Sequence, residues 1–304
     1  MNIVIIGGSG FVGRHFVEAV LAGGHAVTVV GRSALAQHSE DDRVTYLSGG
    51  LWALAKSKAT LENADAICHF ASSTIPSSSN ADPIADIESN LIGTVALLEA
   101  MREAGNKRII YLSSGGAVYG SPRQTPIHED HPTNPISSYG IVKLAVEKYL
   151  AMYSHAHGFS TAVVRPANPY GPGQGKIGQL GAVTTFLNLA LTGGTAKIWG
   201  DGSAVRDFVH VLDLCDLLLR IVETGAEGIY NCGDGEGTSL NELIDTIETI
   251  TGQALRREHL PARSFDPPKI ILDISKARSE IGWEPKTSLH EGVEHMVEEL
   301  KRGP

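Results

Sequence analysis

The sequence contains no pair of cysteines at the spacing used by zinc sites or redox motifs. Its three cysteines, Cys68, Cys215 and Cys232, are widely separated along 304 residues. Disulfide frameworks and structural zinc sites need several cysteines at characteristic spacings, and no group of His, Cys and carboxylate residues follows a metal-binding pattern. The sequence therefore predicts no bound metal, and it predicts that the cysteines are buried, reduced thiols of a cytoplasmic protein.

The sequence also lacks an excess of positive charge and an apolar run long enough to span a membrane. Acidic residues outnumber Lys and Arg by 34 to 25, which gives a formal charge of -9. A general surface for nucleic acid or anionic membranes is therefore not expected, whereas a local basic pocket is compatible with this charge. Runs such as LCDLLLRIV fall far short of the ~20 residues that cross a bilayer. The chain enters a strand pattern at Asn2 without a basic start or cleavage site, so no signal peptide is expected.

The first half of the sequence alternates between strand and helix patterns. The apolar runs NIVIIG, AVTVVG, DAICHFA, RIIYLSS and TAVVRP predict strands, and segments such as SSYGIVKLAVEKYLAMYSHAHG predict the helices between them. This alternation predicts an α/β fold with a Rossmann-type, doubly wound parallel sheet.

The pattern changes after residue 165 and predicts a smaller α/β lobe that binds the substrate. RPANPYGPGQGKIGQLG is rich in Gly and Pro, which predicts a long mobile loop. Shorter elements follow, ending in two amphipathic helices over ISKARSEIGWEP and SLHEGVEHMVEELKR. The predicted division is a dinucleotide-binding domain over 1–165, with an interleaved return near 206–232, and a substrate lobe over 166–304, mainly 166–205 and 233–304.

The stretch GGSGFVG, between a predicted strand and helix, predicts a dinucleotide site. Gly7, Gly10 and Gly13 allow close backbone approach, and the N–H groups at the helix start favour a pyrophosphate. At the end of the second strand an acidic residue would bind the ribose of NAD, but Gly31 stands there and Arg32 follows. A cation at this position favours NADP over NAD, because it can bind the 2′-phosphate of NADP. The alternative is that Arg32 is only a solvated loop residue.

Several blocks, taken in order, resemble the extended short-chain dehydrogenase/reductase family, in particular its nucleotide-sugar epimerase/dehydratase group typified by UDP-galactose 4-epimerase. The resemblance covers almost the whole chain. Its blocks are IIGGSGFVG, DAICHFASS, ESNLIGTVALLEA, IYLSSGGAVYG, SSYGIVKLAVEKYL, VVRPANPYGPGQ, GDGSAVRDFVHVLDL, YNCGDG and DISKARSEIGWEPKTSLHEG.

The resemblance implies that Tyr139 is the acid/base and that Lys143, one turn later on the same helix face, tunes it. A free phenol titrates near ~10, so the charges of Lys143 and of an oxidised nicotinamide would favour the phenolate. The family usually has a Ser or Thr three residues before VYG, where this sequence has Gly115. Ser114 is the expected replacement, and Ser113 or a water molecule are alternatives.

The resemblance also implies which residues contact the cofactor, the substrate and a second subunit. Asn168 is expected at the nucleotide sugar, because the matching asparagine of relatives contacts its phosphate. Arg206 and Arg263 are expected there too, because planar guanidinium groups suit pyrophosphate oxygens. A homodimer is expected through the helices near 84–105 and 138–156, whose apolar residues Leu91, Val95, Leu98, Val146, Leu150 and Tyr153 fit either that interface or the domain core. The expected cofactor contacts are Gly7, Gly10, Phe11, Val12, Gly13, Arg32, Phe70, Ala71, Ser72, Asn90, Tyr139, Lys143 and Pro166.

Three functional hypotheses follow from the resemblance. The leading one is an epimerase of a nucleoside-diphosphate sugar that acts at C4 through a 4-keto intermediate. The second is an NADPH-dependent reductase of a nucleotide-linked 4-keto sugar, and the third is a non-catalytic protein that senses a dinucleotide. A 4,6-dehydratase is not expected, because Gly116 and Ala117 stand where such enzymes carry an Asp-Glu pair.

Overall fold

The computed structural model describes residues 1–31, 41–74, 79–174, 181–262 and 267–302. The strands are β1 (Asn2–Ile6), β2 (Ala26–Gly31), β3 (Val44–Ser48), β4 (Ala66–His69), β5 (Arg108–Leu112), β6 (Ser160–Pro166), β7 (Asn168–Tyr170), β8 (Thr195–Trp199), β9 (Val205–Arg206), β10 (Phe208–His210), β11 (Gly228–Cys232), β12 (Thr238–Ser239), β13 (Arg256–Leu260) and β14 (Lys269–Ile270). The helices are α1 (Phe11–Ala22), α2 (Gly50–Lys56), α3 (Lys58–Glu62), α4 (Pro83–Asp86), α5 (Gly93–Ala104), α6 (Gly115–Val118), α7 (Ser138–His157), α8 (Ala182–Thr192), α9 (Val211–Thr224), α10 (Leu240–Thr251) and α11 (Leu289–Arg302). Two π-helical segments cover Ile87–Ile92, between α4 and α5, and Ala277–Ile281.

Seven of these strands form one parallel sheet in the order β3-β2-β1-β4-β5-β6-β11. The strand order runs outward in opposite directions from β1, so the crevice beyond the carboxyl ends of β1 and β4 is the expected ligand site of such a sheet. Together with helices on both faces, this order confirms the prediction of a Rossmann-type, doubly wound fold.

Apolar residues on both sides of the sheet form two separate cores. On one face α1 and α9 supply Phe16, Val20, Leu214 and Leu217. On the other face α2, α5 and α7 supply buried leucines and Val146. Burial on both faces explains why the strands read as nearly continuous apolar runs.

Helix α7 carries the Tyr-Lys motif, and capping residues fix both of its ends. The Ser137 side chain accepts a hydrogen bond from the Gly140 N–H at the first turn, and Gly158 ends the helix in a left-handed conformation with φ of 67°. Lys143, Val146, Glu147 and Leu150 form the buried stripe of this helix. The buried stripe therefore contains two charged residues, which is unusual and requires partners.

A third core lies among α8, α10 and α11 and includes Phe186, Leu187, Leu243, Ile244 and Val293. Three short sheets belong to this half of the chain, β8 with β13, β7 with β10, and β12-β9-β14. Strand β11, in contrast, returns to the edge of the main sheet.

Parts of the second half differ from the sequence-based expectation. Within the expected loop after residue 165, Asn168–Tyr170 forms a strand that pairs with β10, and 175–180 lie outside the described residues. The expected helix over ISKARSEIGWEP reduces to a short helical turn ending at Ile281, because Gly282 adopts φ of 65° and Trp283 is buried beyond it. The elements β3, α2 and α3 have no counterpart in the sequence-based assignment.

Four of the six apolar residues considered for a dimer interface are core residues. Leu98, Val146, Leu150 and Tyr153 all lie in the core beneath α5 and α7. The large apolar side chains that α4, α7 and the first π-helical segment expose are different ones, namely Ile84, Ile87, Ile92, Ile141, Tyr149 and Met152. Among the described residues no helix is long and apolar enough to cross a membrane.

Candidate active site

A cavity of about 530 Å³ lies beyond the carboxyl ends of the central strands. Its walls come from the glycine loop, from the segments after β4 and β5, from α7 and from the segment around β7. The expected site residues that line it are Gly7, Gly10, Phe11, Val12, Gly13, Phe70, Ser72, Ser114, Tyr139 and Asn168. The fold therefore brings together residues that are far apart in the sequence.

The glycine loop has the geometry that a dinucleotide pyrophosphate requires. Gly7 adopts φ of 89°, and a Cβ on Gly13 would lie 2.1 Å from the Gly7 carbonyl oxygen, so both positions need glycine. Gly10 caps α1 without a side-chain hydrogen bond, and the first turn of α1 contains no acidic residue. The positive end of the helix therefore faces the cavity unopposed, and these residues fit a dinucleotide.

The end of β2, where NAD and NADP are distinguished, is described only as far as Gly31. A Cβ on Gly31 would lie 3.1 Å from the Ser9 hydroxyl, so a larger residue at this position would crowd the glycine loop. Arg32 lies outside the described residues, and the preference for NADP therefore stays a prediction.

A smaller cavity adjoins the large one beneath Tyr139. Ala71, Asn90 and Lys143, three more of the expected cofactor residues, line it together with His69, Asp86 and Tyr111. Asn90 is held in place because its side-chain oxygen accepts from the Ser73 N–H at 2.9 Å. Pro166, the remaining expected cofactor contact, lines neither cavity but lies against Gly115, with its carbonyl oxygen 3.1 Å from the position of a Cβ there.

Tyr139 and Lys143 face the same space from α7. The ammonium nitrogen of Lys143 lies 5.7 Å from the centre of the Tyr139 ring and 4.7 Å from that of Tyr111. It donates a hydrogen bond to the Leu112 carbonyl at 2.7 Å, which fixes the lysine at the carboxyl end of β5. Phenol and ammonium are thus held together next to the glycine loop.

The pKa values of this pair are shifted in opposite directions. Burial raises the pKa of Tyr139 to about 12, a hydrogen bond with Ser114 lowers it, and the charge of Asp86 raises it. Burial lowers the pKa of Lys143 to about 8, against the opposing charges of Glu147 and Asp86. In the protein alone Tyr139 is therefore a neutral phenol at pH 7, and a further positive charge is needed to favour the phenolate.

The two serines after β5 have different partners. The Ser114 side chain makes the hydrogen bond to Tyr139, whereas the Ser113 hydroxyl donates to the carboxylate of Glu147, which lies eight residues after Tyr139 on α7. A Cβ on Gly115 would lie 2.6 Å from Leu272 Cδ1 and 3.1 Å from the Arg165 carbonyl oxygen. The structure therefore excludes a side chain at 115 without rearrangement and places the Ser114 hydroxyl beside the phenol.

The residues expected at the substrate are only partly described. Asn168 lines the large cavity, and its side-chain N–H donates to the Asp207 carbonyl at 2.8 Å. Arg206, half-buried on β9, donates to the Pro267 carbonyl at 2.9 Å and is not among the described residues that line the large cavity. Arg263 lies outside the described residues, so the expected pair of guanidinium groups stays a prediction.

Sequence reasoning missed several residues that support the site. Glu147 and Arg165 form a buried ion pair, and Arg165 also donates to the Tyr119 hydroxyl at 2.9 Å. Glu147 lies one turn after Lys143, and this i, i+4 spacing on a buried helix stripe was the available signal. Gln174 also lines the large cavity, where its side-chain N–H donates to the Pro169 carbonyl at 2.7 Å.

The fold and this site define the chain as a dinucleotide-dependent enzyme of the short-chain dehydrogenase/reductase type, in which a tyrosine can transfer a proton beside the cofactor cavity. No group of three or more His, Cys, Asp or Glu residues in the described part of the chain could hold a metal ion.

Comparison with known proteins identifies the family. Residues 3–233 match the NAD dependent epimerase/dehydratase family. UDP-glucose 4-epimerase of Mycolicibacterium smegmatis is 36% identical over 306 residues, which cover 98% of each chain. The structure of UDP-glucose 4-epimerase from Thermotoga maritima with UDP-glucose is similar with a TM-score of 0.89, 34% identity and 99% of each chain covered. That of the Thermus thermophilus UDP-glucose 4-epimerase with NAD has a TM-score of 0.88, 31% identity and 100% of each chain covered.

This chain therefore belongs to the NAD dependent epimerase/dehydratase family. The prediction of an extended short-chain dehydrogenase/reductase of the nucleotide-sugar epimerase/dehydratase group is confirmed.

Proposed function

We propose that this enzyme epimerises a UDP-linked hexose at C4 through a 4-keto intermediate, with tightly held NAD. The observation that carries the proposal is the cavity that Tyr139 and Ser114 line together with the glycine loop, with the Lys143 ammonium 5.7 Å from the centre of the Tyr139 ring. The names of relatives that match nearly the full chain support UDP-glucose as the first substrate to test.

In this mechanism Tyr139 exchanges a proton with the C4 hydroxyl of the sugar. A bound nicotinamide supplies the hydride acceptor and later the hydride donor. Tyr139 takes the hydroxyl proton as the C4 carbon is oxidised and returns it when C4 is reduced on its other face. Ser114 hydrogen-bonds the same phenol and is placed to orient the reacting oxygen.

The positive charge of Lys143 favours the phenolate during proton removal. Its ammonium is fixed by the Leu112 carbonyl, so the charge stays near the Tyr139 ring. The pKa of Tyr139 is raised in the protein alone, which supports an order of events in which the phenol ionises only when both cofactor and sugar are bound. Tyr139 would then act as a base with cofactor bound and as an acid after hydride transfer.

Epimerisation is favoured over dehydration because positions 116 and 117, where a 4,6-dehydratase carries an Asp-Glu pair, have no side chain that can transfer a proton. Gly116 and Ala117 stand on the short helix α6, and a Cβ at Gly116 would meet open space. A 4,6-dehydratase would need two more acid/base groups here, which these residues do not provide.

A reductase of a nucleotide-linked 4-keto sugar is the second candidate, favoured by Gly31 and Arg32 at the end of β2. Such an enzyme would use NADPH once per turnover and exchange it. NAD is the cofactor of the leading proposal, since related structures contain it. A sensor without catalysis is the third candidate, and it would retain the dinucleotide but convert no sugar.

The remaining assignments complete the proposal. Asn168, Arg206 and Arg263 would bind the nucleotide-sugar phosphates. Residues 1–165 with 206–232 would form the cofactor unit, and 166–205 with 233–304 would form the substrate lobe.

The exposed apolar side chains of α7 and its neighbouring segments support a homodimer, which sedimentation would test. Three buried free cysteines support a cytoplasmic location.

The deciding experiment starts from the purified protein without added cofactor. Mass spectrometry of the released dinucleotide distinguishes NAD from NADP, and incubation with UDP-glucose, UDP-galactose and their N-acetyl counterparts reveals any epimer. We expect bound NAD and an epimeric product. Stoichiometric NADPH consumption with a 4-keto sugar and no epimer would instead identify a reductase.

The variant Tyr139→Phe tests the assigned chemistry. We expect it to keep the bound dinucleotide and to lose turnover by at least about a hundredfold, as expected for removal of a general acid/base. Turnover at the wild-type rate in this variant would refute the mechanism.

A further inference from the structure

Asp86 is a completely buried carboxylate beside the Tyr-Lys pair, and the mechanism above does not use it. It stands at the end of α4, where the helix changes to the π-helical segment Ile87–Ile92. Burying a carboxylate is costly unless hydrogen bonds compensate, so a buried acidic group at a site calls for a functional explanation.

Three neutral donors surround the carboxylate. One oxygen accepts from the Thr74 hydroxyl at 2.7 Å and from the Asn90 side-chain N–H at 2.8 Å. The other accepts from the Ser138 hydroxyl at 2.7 Å. Because these partners are uncharged, the negative charge is solvated but not neutralised by them.

These donors belong to three parts of the site. Thr74 lies in the segment after β4, and Ser138 directly precedes Tyr139. Asn90 lies in the π-helical segment Ile87–Ile92 and also accepts a hydrogen bond from the Ser73 N–H. Asp86 therefore connects the expected cofactor-binding segment with the first turn of α7. A shift of this carboxylate would move the phenol relative to the cavity.

The charge of Asp86 acts on the same groups. It raises the pKa of both Tyr139 and Lys143, and it contributes to the raised pKa of Tyr111. Besides Tyr111, Tyr139 and Lys143, the titratable group that lines this small cavity with Asp86 is His69 on β4. Ser114 after β5 makes a hydrogen bond to Tyr139, and the charge of Glu147 on α7 acts on Tyr111 and Lys143 without lining the cavity. His69 is kept neutral by burial, which lowers its pKa to about 3, so near pH 7 it adds no charge.

We propose that Asp86 is a positioning residue of the proton-transfer pair: its hydrogen bond to Ser138 fixes the start of α7, its hydrogen bonds to Thr74 and Asn90 tie that turn to the expected cofactor-binding segment, and its buried negative charge lies beside Tyr139 and Lys143. The proposal rests on the proposed function.

The test compares Asp86→Asn with Ser138→Ala, which removes one hydrogen bond but leaves the carboxylate charge. In Asp86→Asn we expect both limbs of the pH profile of kcat/KM to move to lower pH by about one unit, because the phenol ionises and the ammonium deprotonates more easily. Ser138→Ala should lower kcat with both limbs unmoved. Unshifted limbs in Asp86→Asn, or equal shifts in both variants, would overturn the proposal.

A second variant covers the case in which Asp86→Asn does not fold. Asp86→Glu keeps the charge but displaces the carboxylate by one methylene, so we expect kcat to fall about tenfold or more with unmoved pH limbs, and KM to change little. Wild-type kcat in Asp86→Glu would contradict the positioning role.

A readout without turnover separates this proposal from the proposed function. The phenolate absorbance of Tyr139 is obtained as the difference between each protein and its Tyr139→Phe counterpart during an alkaline titration. We expect the transition at lower pH in Asp86→Asn than in wild type. If no sugar is epimerised but this shift occurs, the substrate assignment fails and the role of Asp86 stands; without the shift, the role of Asp86 fails.

Discussion

At the scale of single residues, Ser114 is the proposed replacement for the serine or threonine that the family usually has where this chain has Gly115. The hydroxyl of Ser114 reaches Tyr139, whereas that of Ser113 is engaged by Glu147. Two adjacent serines at the end of one strand thus bond to different residues of α7, Ser114 to Tyr139 and Ser113 to Glu147 eight residues later. The sequence alone left the choice between them open.

The first prediction concerns these two serines. In Ser114→Ala we expect kcat to fall by about tenfold to a hundredfold, because a hydrogen bond at the reacting centre is lost. The hydrogen bond from Ser114 lowers the pKa of Tyr139, so the acid limb of the pH profile should also move to higher pH. Steady-state kinetics from pH 5 to 9 measures both effects.

Ser113→Ala is the matched control for this prediction. It removes the hydroxyl that contacts Glu147, so we expect a change in stability with kcat within about twofold of wild type. If the losses of kcat were reversed between the two variants, the assignment of Ser114 would be wrong.

The second prediction concerns the packing that makes position 115 a glycine. Gly115→Ala should destabilise the protein by about 1–3 kcal/mol, because the new Cβ would overlap Leu272 and approach two carbonyl oxygens. Gly116→Ala is the matched control, since its Cβ meets nothing within 4 Å. Urea unfolding measures both, and equal stabilities of the two variants would contradict the packing argument.

At the scale of elements, the first turn of α1 holds the segment that follows β7. Arg14 donates to the Pro172 carbonyl at 3.0 Å, and the His15 Nε2 atom lies 2.9 Å from the same oxygen. Gly173, at φ of 68°, packs so closely on Arg14 that a Cβ would lie 1.2 Å from its guanidinium. Pro169 and Gln174 of this segment line the same cavity as Gly7, Gly10 and Gly13 of the glycine loop, so the contact ties two of its walls together.

The third prediction is that this contact slows cofactor release. Arg14→Ala should raise the dissociation rate of the dinucleotide by about fivefold, which corresponds to the loss of one hydrogen bond of ordinary strength. Fluorescence of the released cofactor in an excess of competitor measures the rate. Arg43→Ala, which removes an exposed arginine paired with Asp41, is the control. Equal release rates would show that the contact does not retain the cofactor.

The ion pair of Glu147 and Arg165 acts at the same scale. It joins α7 to β6, and Arg165 also donates to the Glu129 carbonyl at 3.0 Å. Breaking one partner of a buried pair usually costs several kcal/mol because the other charge is left uncompensated. The helix that presents Tyr139 and Lys143 is therefore fixed to the sheet by charge as well as by apolar packing.

At the scale of the whole molecule, two buried histidines couple folding to pH. His69 and His210 are almost completely buried, and the His69 Nε2 atom lies 2.9 Å from the Thr94 hydroxyl. Burial lowers the pKa of His69 to about 3 and that of His210 to about 4. For His210 the charge of Asp213 opposes this shift, and His295 and His15 reinforce it.

The fourth prediction follows from the sign of these shifts. Above pH ~6.5 both histidines are neutral whether the chain is folded or unfolded. Between that pH and ~4 the unfolded chain binds more protons than the folded one, so the free energy of unfolding falls as the pH falls. For His210 this amounts to about 3 kcal/mol at most. Urea unfolding at pH 7, 5.5 and 4.5 measures the loss, and His210→Gln should show a smaller difference between pH 7 and 4.5. An equal difference in this variant would contradict the prediction.

What the sequence determined by itself is what short segments can specify. The order of strands and helices, the glycine loop and the i, i+4 spacing of Tyr139 and Lys143 depend on neighbouring residues, and for these the sequence was sufficient. Strand β8 was predicted from AKIWG, but short strands such as β7 were missed, because their pairing depends on distant partners such as Asn168 with Phe208.

Only the tertiary structure decided which polar groups meet inside the protein. The sequence does not place Asp86 next to Ser138, Glu147 next to Arg165, or Leu272 against Gly115, since each contact joins segments that are separated along the chain. Burial then determines the energetics, because a charge that is removed from water acts strongly on its neighbours. The sequence thus specified the spacing of the proposed acid/base pair, Tyr139 and Lys143, and burial in the fold shifts the pKa values of both groups.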